Sequence, residues 1–480
     1  MKVTVPNRTV LLLLLLLLIF QIVTLQFWIS ISAHSGQTTI PWLMNNGREI
    51  FGTILEQHAP ATSIIASLAN RISPFDLATT ARFLNTILMT TITIGVYQLG
   101  KRYGDSDLSG LVAALIWVLL GPVFGNVLFY FNTLLVGFVI LGLWSWEQYA
   151  NKKQVAYLII TGLLFGLSTL AKQQGWGVVA FFGLWLLIQR RSFRELLFYS
   201  VSALIFPILI LIFITIQGNL DNYIYWNWTF NLSGYMDSVP LESNFFRKLL
   251  IANSLVPAYF LLQWRDDKSR TILLLLMYLS LLTPLYPRFG ESAAVTHIPL
   301  TAIMSGIVIA RLLIETKPWS QVKESSQLIA SGALLSVVIG WLWMSAVMYI
   351  PNTVQTPGYD EFTPIIEILK TRTQDGDTLF VLPETDSTPQ LHPLSGMLPP
   401  NTWIKGWRWY LEPPDVVDTL ITEWSSSPPD FIVVFSDLIP SSQPAINPLL
   451  DFVTTDYMLL DEVSDIDFHG TARIYQHVEN

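Results

Sequence analysis

The stretch VLLLLLLLLIFQIVTLQFWIS, from Val10 to Ser30, decides the fold class of this 480-residue chain. Its apolar run exceeds the roughly 7 to 15 residues of a secretory signal's core and is long enough to cross a bilayer, which takes about 20 residues. Lys2 and Arg8 precede it. The stretch could be a signal peptide, but its length favours a first transmembrane helix that the protein retains.

The overall composition favours the same class. Hydrophobic residues make up 52% of the chain and charged residues only 13%, as in a polytopic membrane protein and unlike an ordinary soluble domain. Because the chain contains no cysteine, disulfides and thiolate metal sites are excluded. Any metal would need His, Asp or Glu ligands.

Repeated apolar runs in residues 1–350 predict about eleven transmembrane helices. The runs lie near residues 10–32, 77–100, 108–125, 132–149, 155–171, 176–189, 196–217, 248–263, 271–286, 298–314 and 327–350. With the N-terminus in the cytoplasm, fifteen Lys and Arg fall on the cytoplasmic side of this part and seven on the other. Since basic residues concentrate in cytoplasmic loops, we predict this orientation, with the C-terminal region outside.

Residues 351–480 are predicted to form a second, extracytoplasmic domain. They carry five Lys and Arg against twenty Asp and Glu, whereas residues 1–350 carry 22 against 15. Helix and strand patterns alternate in EFTPIIEILKTRT, DTLFVLP, DVVDTLITEW and DFIVVFSD. This alternation predicts a small α/β domain, and its acidity argues against a nucleic-acid partner.

An unusually polar insert, NGREIFGTILEQHAP (Asn46–Pro60), separates the first two apolar runs. It belongs to a predicted outer loop, residues 31–75. In this loop IPWLMNNGREI and ATSIIASLANRI have the spacing of helices that lie in the membrane interface, with polar faces toward water. Four side chains would project where a lipid headgroup meets a water-borne molecule: His34, Glu49, Glu56 and His58.

The order of the motifs resembles the GT-C class of membrane glycosyltransferases, which includes protein O-mannosyltransferases and the lipid A aminoarabinose transferase. The corresponding stretches are HSG (34–36), NG (46–47), ILEQHAP (54–60), ARFLN (81–85), GLLFGLSTLAKQQG (162–175), YPRF (286–289) and His297. The resemblance covers most of the membrane part and implies a GT-C-like fold. It also implies transfer of a sugar, with inversion, from a polyprenyl-phosphate carrier to an extracytoplasmic acceptor, in contact with membrane lipids.

The implied reaction needs two kinds of side chain. The acceptor hydroxyl loses a proton as it attacks, so a general base must lie within hydrogen-bond reach. Fixed positive charge stabilises the departing lipid phosphate. By the resemblance, the family's base is an aspartate at the place that His34 holds here. We therefore predict that Glu56 is the general base, with Glu49 as the second candidate and His34 as a further catalytic residue.

A set of polar side chains is predicted to contact the substrate. They are His58, Arg82, Asn132, Lys172, Gln173, Arg288 and His297. The cations Lys172, Arg82 and Arg288 are the predicted phosphate ligands, since an ionisable group at the membrane edge is costly without a partner. Asn132 replaces an acidic residue often found in the family and cannot accept a proton at neutral pH. We therefore expect no metal cofactor.

Purely structural roles remain alternatives for these residues. Glu56 could pair with Arg48 or Arg71, and the cations could anchor helix ends at the interface. Two aromatic segments, NYIYWNWTFNLSGYMDS (222–238) and GWRWYLEPP (406–414), leave a similar choice. Each could pack at the membrane surface or stack against a sugar or lipid chain.

Two other function classes remain open. The first is a carrier or binder of lipid-linked glycan that has kept the scaffold without its chemistry, because His34 and Asn132 stand where acids are expected. The second is a polysaccharide polymerase or ligase with a lipid-pyrophosphate donor. The sequence lacks a phosphate-binding Gly-Lys-Ser/Thr loop, a His-Glu-x-x-His motif and a Gly-x-Ser-x-Gly elbow, which argues against those enzyme classes.

Overall fold

The structure of the chain is a computed structural model that describes residues 7–28, 37–189, 191–233, 244–285, 291–314, 324–349, 360–383, 388–404, 408–411, 413–436, 446–466 and 470–478. It contains two compact units, each built from three stretches of the chain. The helical unit comprises Met1–Ser30, Arg82–Ile210 and Val239–Val354. The sheet unit comprises Ile31–Ala81, Leu211–Ser238 and Gln355–Asn480. The division into residues 1–350 and 351–480 stays a prediction.

Long helices form most of the helical unit, and two of them continue into the sheet unit. In chain order they are Asn7–Val23, Leu77–Tyr103, Asp107–Leu120, Phe131–Lys152, Val155–Ala171, Gly175–Ile188, Phe193–Ile216, Phe245–Ala252, Val256–Gln263, Lys268–Leu282, Ile298–Ile314 and Glu324–Tyr349. Each of the eleven predicted segments contains a helix among its described residues, so the predicted helical fold is confirmed. The segment near 248–263 is two helices, because Pro257 starts a new one in a first turn that tolerates its missing N–H.

These helices have the length and composition of membrane spans. Within the described residues, five are long and apolar enough to cross a bilayer, and the first, Arg8–Phe27, has a mean hydropathy of 2.8. A helix pairs its backbone N–H and C=O groups internally, which a span in lipid requires. The chain is therefore an integral membrane protein, while the number of spans and the side on which each terminus lies stay predictions.

Glycines allow the helices to approach closely. A Cβ added to Gly306 would lie 2.6 Å from the backbone nitrogen of Ala113, and one added to Gly142 would lie 2.3 Å from the Phe165 ring. Lipid tails are as apolar as leucine, so close van der Waals packing of this kind holds spanning helices together.

The sheet unit combines short helices with two β-sheets. Its strands are β1 (Ile54–Leu55), β2 (Leu379–Leu382), β3 (Trp403–Ile404), β4 (Phe431–Phe435), β5 (Tyr457–Ile466) and β6 (Gly470–His477). Its helices are Thr39–Asn45, Ala61–Ile72, Leu220–Ile224, Phe230–Leu232, Thr363–Arg372, Leu391–Ser395, Arg408–Leu411, Pro414–Ser426 and Asn447–Asp456, with a π-helical turn at Tyr225–Thr229. The larger sheet has the order β2-β4-β6-β5, with β2 parallel to β4 and the other neighbours antiparallel.

The small C-terminal α/β region predicted from the sequence is confirmed. Both predicted helices and both predicted strands, β2 and β4, are present. The β5–β6 hairpin is absent from the prediction. Strand β5 lies at the sheet edge, where Met458 and Leu459 are half exposed, so its residues lack the apolar alternation of a half-buried strand.

The loop that contains β1 joins the C-terminal region through the second sheet. Strand β1 runs parallel to β3, with Ile54 opposite Trp403 and Leu55 opposite Ile404. Ile54 and Trp403 are fully buried in a cluster with Ile40 and Leu43. Two residues of pairing are weak alone, so this apolar cluster stabilises the contact.

The helix Ala61–Ile72 is expected from its sequence to turn its polar face toward water, and the structure shows the opposite arrangement. Its buried side consists of small and hydroxyl residues, including Ser63 and Ser67. Its exposed side includes Leu68 and Ile72, at 57% and 87% exposure. The polar face therefore packs inward and the apolar face is exposed, which suits a helix whose outer side contacts lipid.

Replacing Trp403 tests the loop attachment. We expect Trp403→Ala to lower the free energy of unfolding by about 3 to 5 kcal/mol, because it empties a fully buried aromatic site. Thermal unfolding of purified protein in nanodiscs measures the effect. Met458→Ala, at a residue 56% exposed, is the control and should leave the midpoint nearly unchanged. Equal midpoints for both variants would contradict the role of this cluster.

Candidate active site

Glu56 lies directly after β1, so the pairing of β1 with β3 fixes the backbone that carries it. Its side chain is only 3% exposed. Burying a carboxylate is costly unless hydrogen-bond donors surround it. The loop and the C-terminal region supply these donors together.

Several donors converge on one oxygen of Glu56. The backbone N–H of His58 donates to Oε1 at 3.0 Å, and the His58 ring contacts the same atom through Nδ1. The Tyr410 hydroxyl lies 3.4 Å from it. The His58 side chain is 21% exposed, so the pair has one buried member and one accessible member.

Tyr410 is held by other aromatic rings. It is fully buried, stacks on Trp226 with ring centres 5.6 Å apart, and lies 5.4 Å from the Phe230 ring. Its hydroxyl also accepts a long hydrogen bond from the Gln57 N–H at 3.4 Å. Trp226 and Phe230 therefore pack within the protein, and they are not free to form the sugar-stacking wall that the sequence left open.

Two asparagines of the same aromatic segment bond the loop backbone. Asn227 Nδ2 donates to the Glu56 carbonyl at 3.4 Å, and Asn231 Nδ2 donates to the Gln57 carbonyl at 2.9 Å. Both belong to Asn-x-Ser/Thr sequons. In the fold their amides serve as internal donors, which is a structural reason for these residue types.

The loop arginines Arg48 and Arg71 bond groups other than Glu56. Arg48 donates to the carbonyls of Pro399 and Pro400, and burial lowers the pKa of its guanidinium. Arg71 donates from Nε to Asn45 at 2.7 Å. Both arginines thus bond elsewhere, and neither is the partner that Glu56 has in His58.

Glu49, the second candidate base, occupies a different environment. Its side chain is exposed, and its Oε2 accepts from Asn219 Nδ2 at 3.1 Å. Its carbonyl accepts the backbone N–H groups of the tight turn that follows. Because Glu49 is exposed and its carbonyl serves the turn, Glu56 is the stronger of these two candidates for the general base.

In the helical unit, the structure brings together Lys172 and Asn132, two of the residues predicted to contact the substrate. Lys172 Nζ donates to Asn132 Oδ1 at 2.7 Å and lies 5.0 Å from the centre of the Phe131 ring. Asn132 Nδ2 in turn donates to the Ser292 carbonyl at 2.8 Å. Because Asn132 carries no charge, its bond orients the ammonium without neutralising it.

Ends of three helices lie at this pair. Asn132 is the second residue of Phe131–Lys152, while Lys172 caps the carboxyl end of Val155–Ala171 and is followed by Gln173, just before the helix Gly175–Ile188. The amino end of a helix carries partial positive charge. The pair thus has the charge and the donors of an anion site.

Arg82 and His297 have contacts within the helical unit. Arg82 donates to the Gln26 carbonyl at 2.7 Å, which ties the end of the first helix to Leu77–Tyr103. His297 is fully buried, and its Nε2 lies 3.2 Å from the amide of Asn253. Tyr278 packs edge-on against the His297 ring. These are stabilising contacts, and substrate binding by either residue stays a prediction.

His34 and Arg288 lie outside the described residues, so their predicted roles stay predictions. For metal binding, the described part of the chain offers no group of three His, Asp or Glu side chains. The expectation that the protein has no metal cofactor stays a prediction. Tyr410, Asn227 and Asn231 were not among the predicted site residues, although each lies in a segment whose aromatic or sequon pattern is visible in the sequence.

Comparison with known families gives one match. Residues 57–214 match the family model described as dolichyl-phosphate-mannose-protein mannosyltransferase. The matched range includes His58, Arg82, Asn132 and Lys172 but begins after Glu56. A search of curated proteins found no match.

Solved structures of similar fold cover nearly the whole chain. The crystal structure of ArnT from Cupriavidus metallidurans bound to undecaprenyl phosphate has a TM-score of 0.60 at 13% identity, over 99% of both chains. The archaeal oligosaccharyltransferase AglB from Archaeoglobus fulgidus, in complex with an inhibitory peptide and a dolichol-phosphate, has a TM-score of 0.57 at 12% identity, over 98% of this chain and 74% of that one. Arabinofuranosyltransferase AftD from Mycobacteria has a TM-score of 0.51 at 13% identity, over 99% and 40%. The predicted GT-C-like fold is confirmed.

The amide donors of the loop can be tested by substitution. We expect Asn231→Asp to lower the free energy of unfolding by about 1 to 3 kcal/mol, since a carboxylate would face the Gln57 carbonyl that now receives an N–H. Asn46→Asp is the matched control, because Asn46 bonds the Trp42 carbonyl at 2.9 Å from an exposed position. Thermal unfolding in nanodiscs compares the two. A larger loss for the Asn46 variant would contradict the assignment.

Proposed function

We propose that this protein is a membrane glycosyltransferase that moves a sugar from a polyprenyl-phosphate carrier to an extracytoplasmic acceptor. The observation that carries the proposal is Lys172, an oriented ammonium held by Asn132 at the N-terminus of the helix Phe131–Lys152. The fold supports it, since ArnT and AglB structures of that fold hold undecaprenyl phosphate and dolichol-phosphate. The family match over residues 57–214 is a further support.

The proposed role of Lys172 follows from the charge of the leaving group. A phosphodiester that loses its sugar gains negative charge, and a fixed cation close to the departing oxygen stabilises that change. Lysine acts there as a compact point charge with three donors. The partial positive charge at the amino end of Phe131–Lys152 adds to it without needing to reorient.

The proposed displacement is a single step. The acceptor oxygen attacks the anomeric carbon on the face opposite the phosphate, so the configuration of that carbon inverts. Polyprenyl phosphate leaves, and the acceptor proton passes to a base. A base and a cation suffice for this displacement.

Lys172→Met tests this function. We expect turnover to fall by about 100-fold or more, because the variant keeps the length of the side chain and loses the charge that stabilises the phosphate. The assay follows labelled sugar from polyprenyl-phosphate-linked mannose, glucose or arabinose into cell-envelope extract, with purified protein in nanodiscs.

Lys153→Met is the matched control for this assay. Lys153 precedes the helix Val155–Ala171, whereas Lys172 follows it, so the control removes a lysine from the opposite end of the same helix. It should retain normal turnover. Saturable binding of a donor with no transfer would instead indicate a carrier, and activity confined to a lipid-pyrophosphate donor would indicate a polymerase or ligase.

A further inference from the structure

Glu56 and His58 form a pair whose members differ in access. The carboxylate is 3% exposed and the imidazole 21% exposed. Only the backbone of Gln57 separates them, so the geometry is local and is set by the turn after β1. An acceptor molecule can therefore approach the ring more easily than the acid behind it.

The bonds of Glu56 suit an orienting role. Its Oε1 accepts from the His58 N–H at 3.0 Å, from the His58 ring and, at 3.4 Å, from Tyr410. Donors that point at a carboxylate stabilise its ionised form and oppose its taking up a proton. A carboxylate with these contacts is better suited to holding a neighbour than to accepting a proton from substrate.

The same bonds fix the tautomer of His58. An ionised carboxylate is an acceptor only, so Nδ1 of the neutral ring carries the proton that faces Glu56. Nε2, on the opposite edge of the ring, is then the atom with the lone pair. A buried acid, an oriented imidazole and a proton acceptor at Nε2 form the arrangement that activates hydroxyl groups in unrelated hydrolases.

Tyr410 completes the arrangement from the C-terminal region. Its hydroxyl accepts from the Gln57 N–H and donates to Glu56, so both of its hydrogen-bonding functions are used. The rings of Trp226 and Phe230 hold it in place. It thus fixes the acid that in turn fixes the imidazole.

We propose that His58 is the general base of the transfer reaction, with Glu56 and Tyr410 as its positioning residues; this inference rests on the proposed glycosyl transfer. The acceptor O–H bond breaks and its proton moves to Nε2 of His58 while the oxygen bonds the anomeric carbon. The bond from that carbon to the phosphate oxygen breaks, and polyprenyl phosphate departs with the electron pair. The imidazolium, stabilised by Glu56, then returns its proton to water.

The first experiment uses the transfer assay with purified full-length protein and polyprenyl-phosphate-linked mannose, glucose or arabinose. We expect His58→Gln to lower turnover by about 100-fold to 10,000-fold and Glu56→Gln by a similar factor. Tyr410→Phe removes one hydrogen bond and should lower turnover by about threefold to tenfold. His477→Gln, a histidine on β6 outside this arrangement, is the control and should retain turnover.

Chemical rescue separates a catalytic ring from a structural one. Added imidazole should restore turnover to His58→Gly and should not restore it to Glu56→Gln. In the wild type, turnover should fall with acid, because a protonated imidazole cannot take the proton of the acceptor hydroxyl. Normal turnover in His58→Gln would show that another residue is the base. The same conclusion would follow if Glu56→Gln were inactive and imidazole failed to restore turnover to His58→Gly.

A second experiment tests the pair without turnover. Diethyl pyrocarbonate acylates unprotonated imidazole, and peptide mass spectrometry reads each histidine separately. We expect label at His58 and none at His297 or His392, which are fully buried. At pH 6, His58 should be labelled severalfold faster in Glu56→Gln than in the wild type. Equal rates would overturn the pair. No transfer by the wild type with any donor, together with the expected labelling, would overturn the proposed function and leave the pair intact.

Discussion

The parallel pairing of Ile54 and Leu55 with Trp403 and Ile404 is the contact that positions the loop carrying Glu56. It is only two residues long, and its strength comes from the apolar cluster beneath it. Glu56 follows it directly, so the position of the carboxylate is inherited from the C-terminal region. Tyr410 and the asparagines of the aromatic segment then act on a backbone that is already fixed.

Much of the fold follows from the sequence because lipid imposes a simple rule. Every spanning backbone group must be paired inside its own helix, so length and apolarity alone locate the eleven segments. Strands β2 and β4 are similarly visible as short, fully buried apolar runs. Strands β1 and β3 carry no such pattern, since two residues cannot show a period. Their pairing joins parts of the chain that lie about 350 positions apart. The hydrogen bond from Arg48 to the Pro399 carbonyl, across 351 positions, connects the same two regions.

In the candidate site, too, some residues could be selected from the sequence, whereas some contacts could not. Lys172 and Asn132 could be selected because a polar residue at the end of an apolar helix stands out, and the structure does bring these two together. Glu56 could be selected as a loop carboxylate, but its dependence on His58 and Tyr410 could not, because it needs the folded turn and a ring from residue 410. The sequons illustrate the same limit: the Asn-x-Ser/Thr pattern does not reveal that Asn227 and Asn231 supply two contacts to the loop backbone.

The discontinuity of the sheet unit has a consequence for biosynthesis. Its stretches Ile31–Ala81, Leu211–Ser238 and Gln355–Asn480 are separated by most of the membrane helices. At about 5 to 20 residues per second, the ribosome needs roughly 20 to 70 s to add the 350 residues that part β1 from β3. During that interval the loop has been made but has no partner strand. The loop therefore acquires its contact with β3 only at the end of synthesis, and a chain interrupted before residue 403 would insert its helices without that contact.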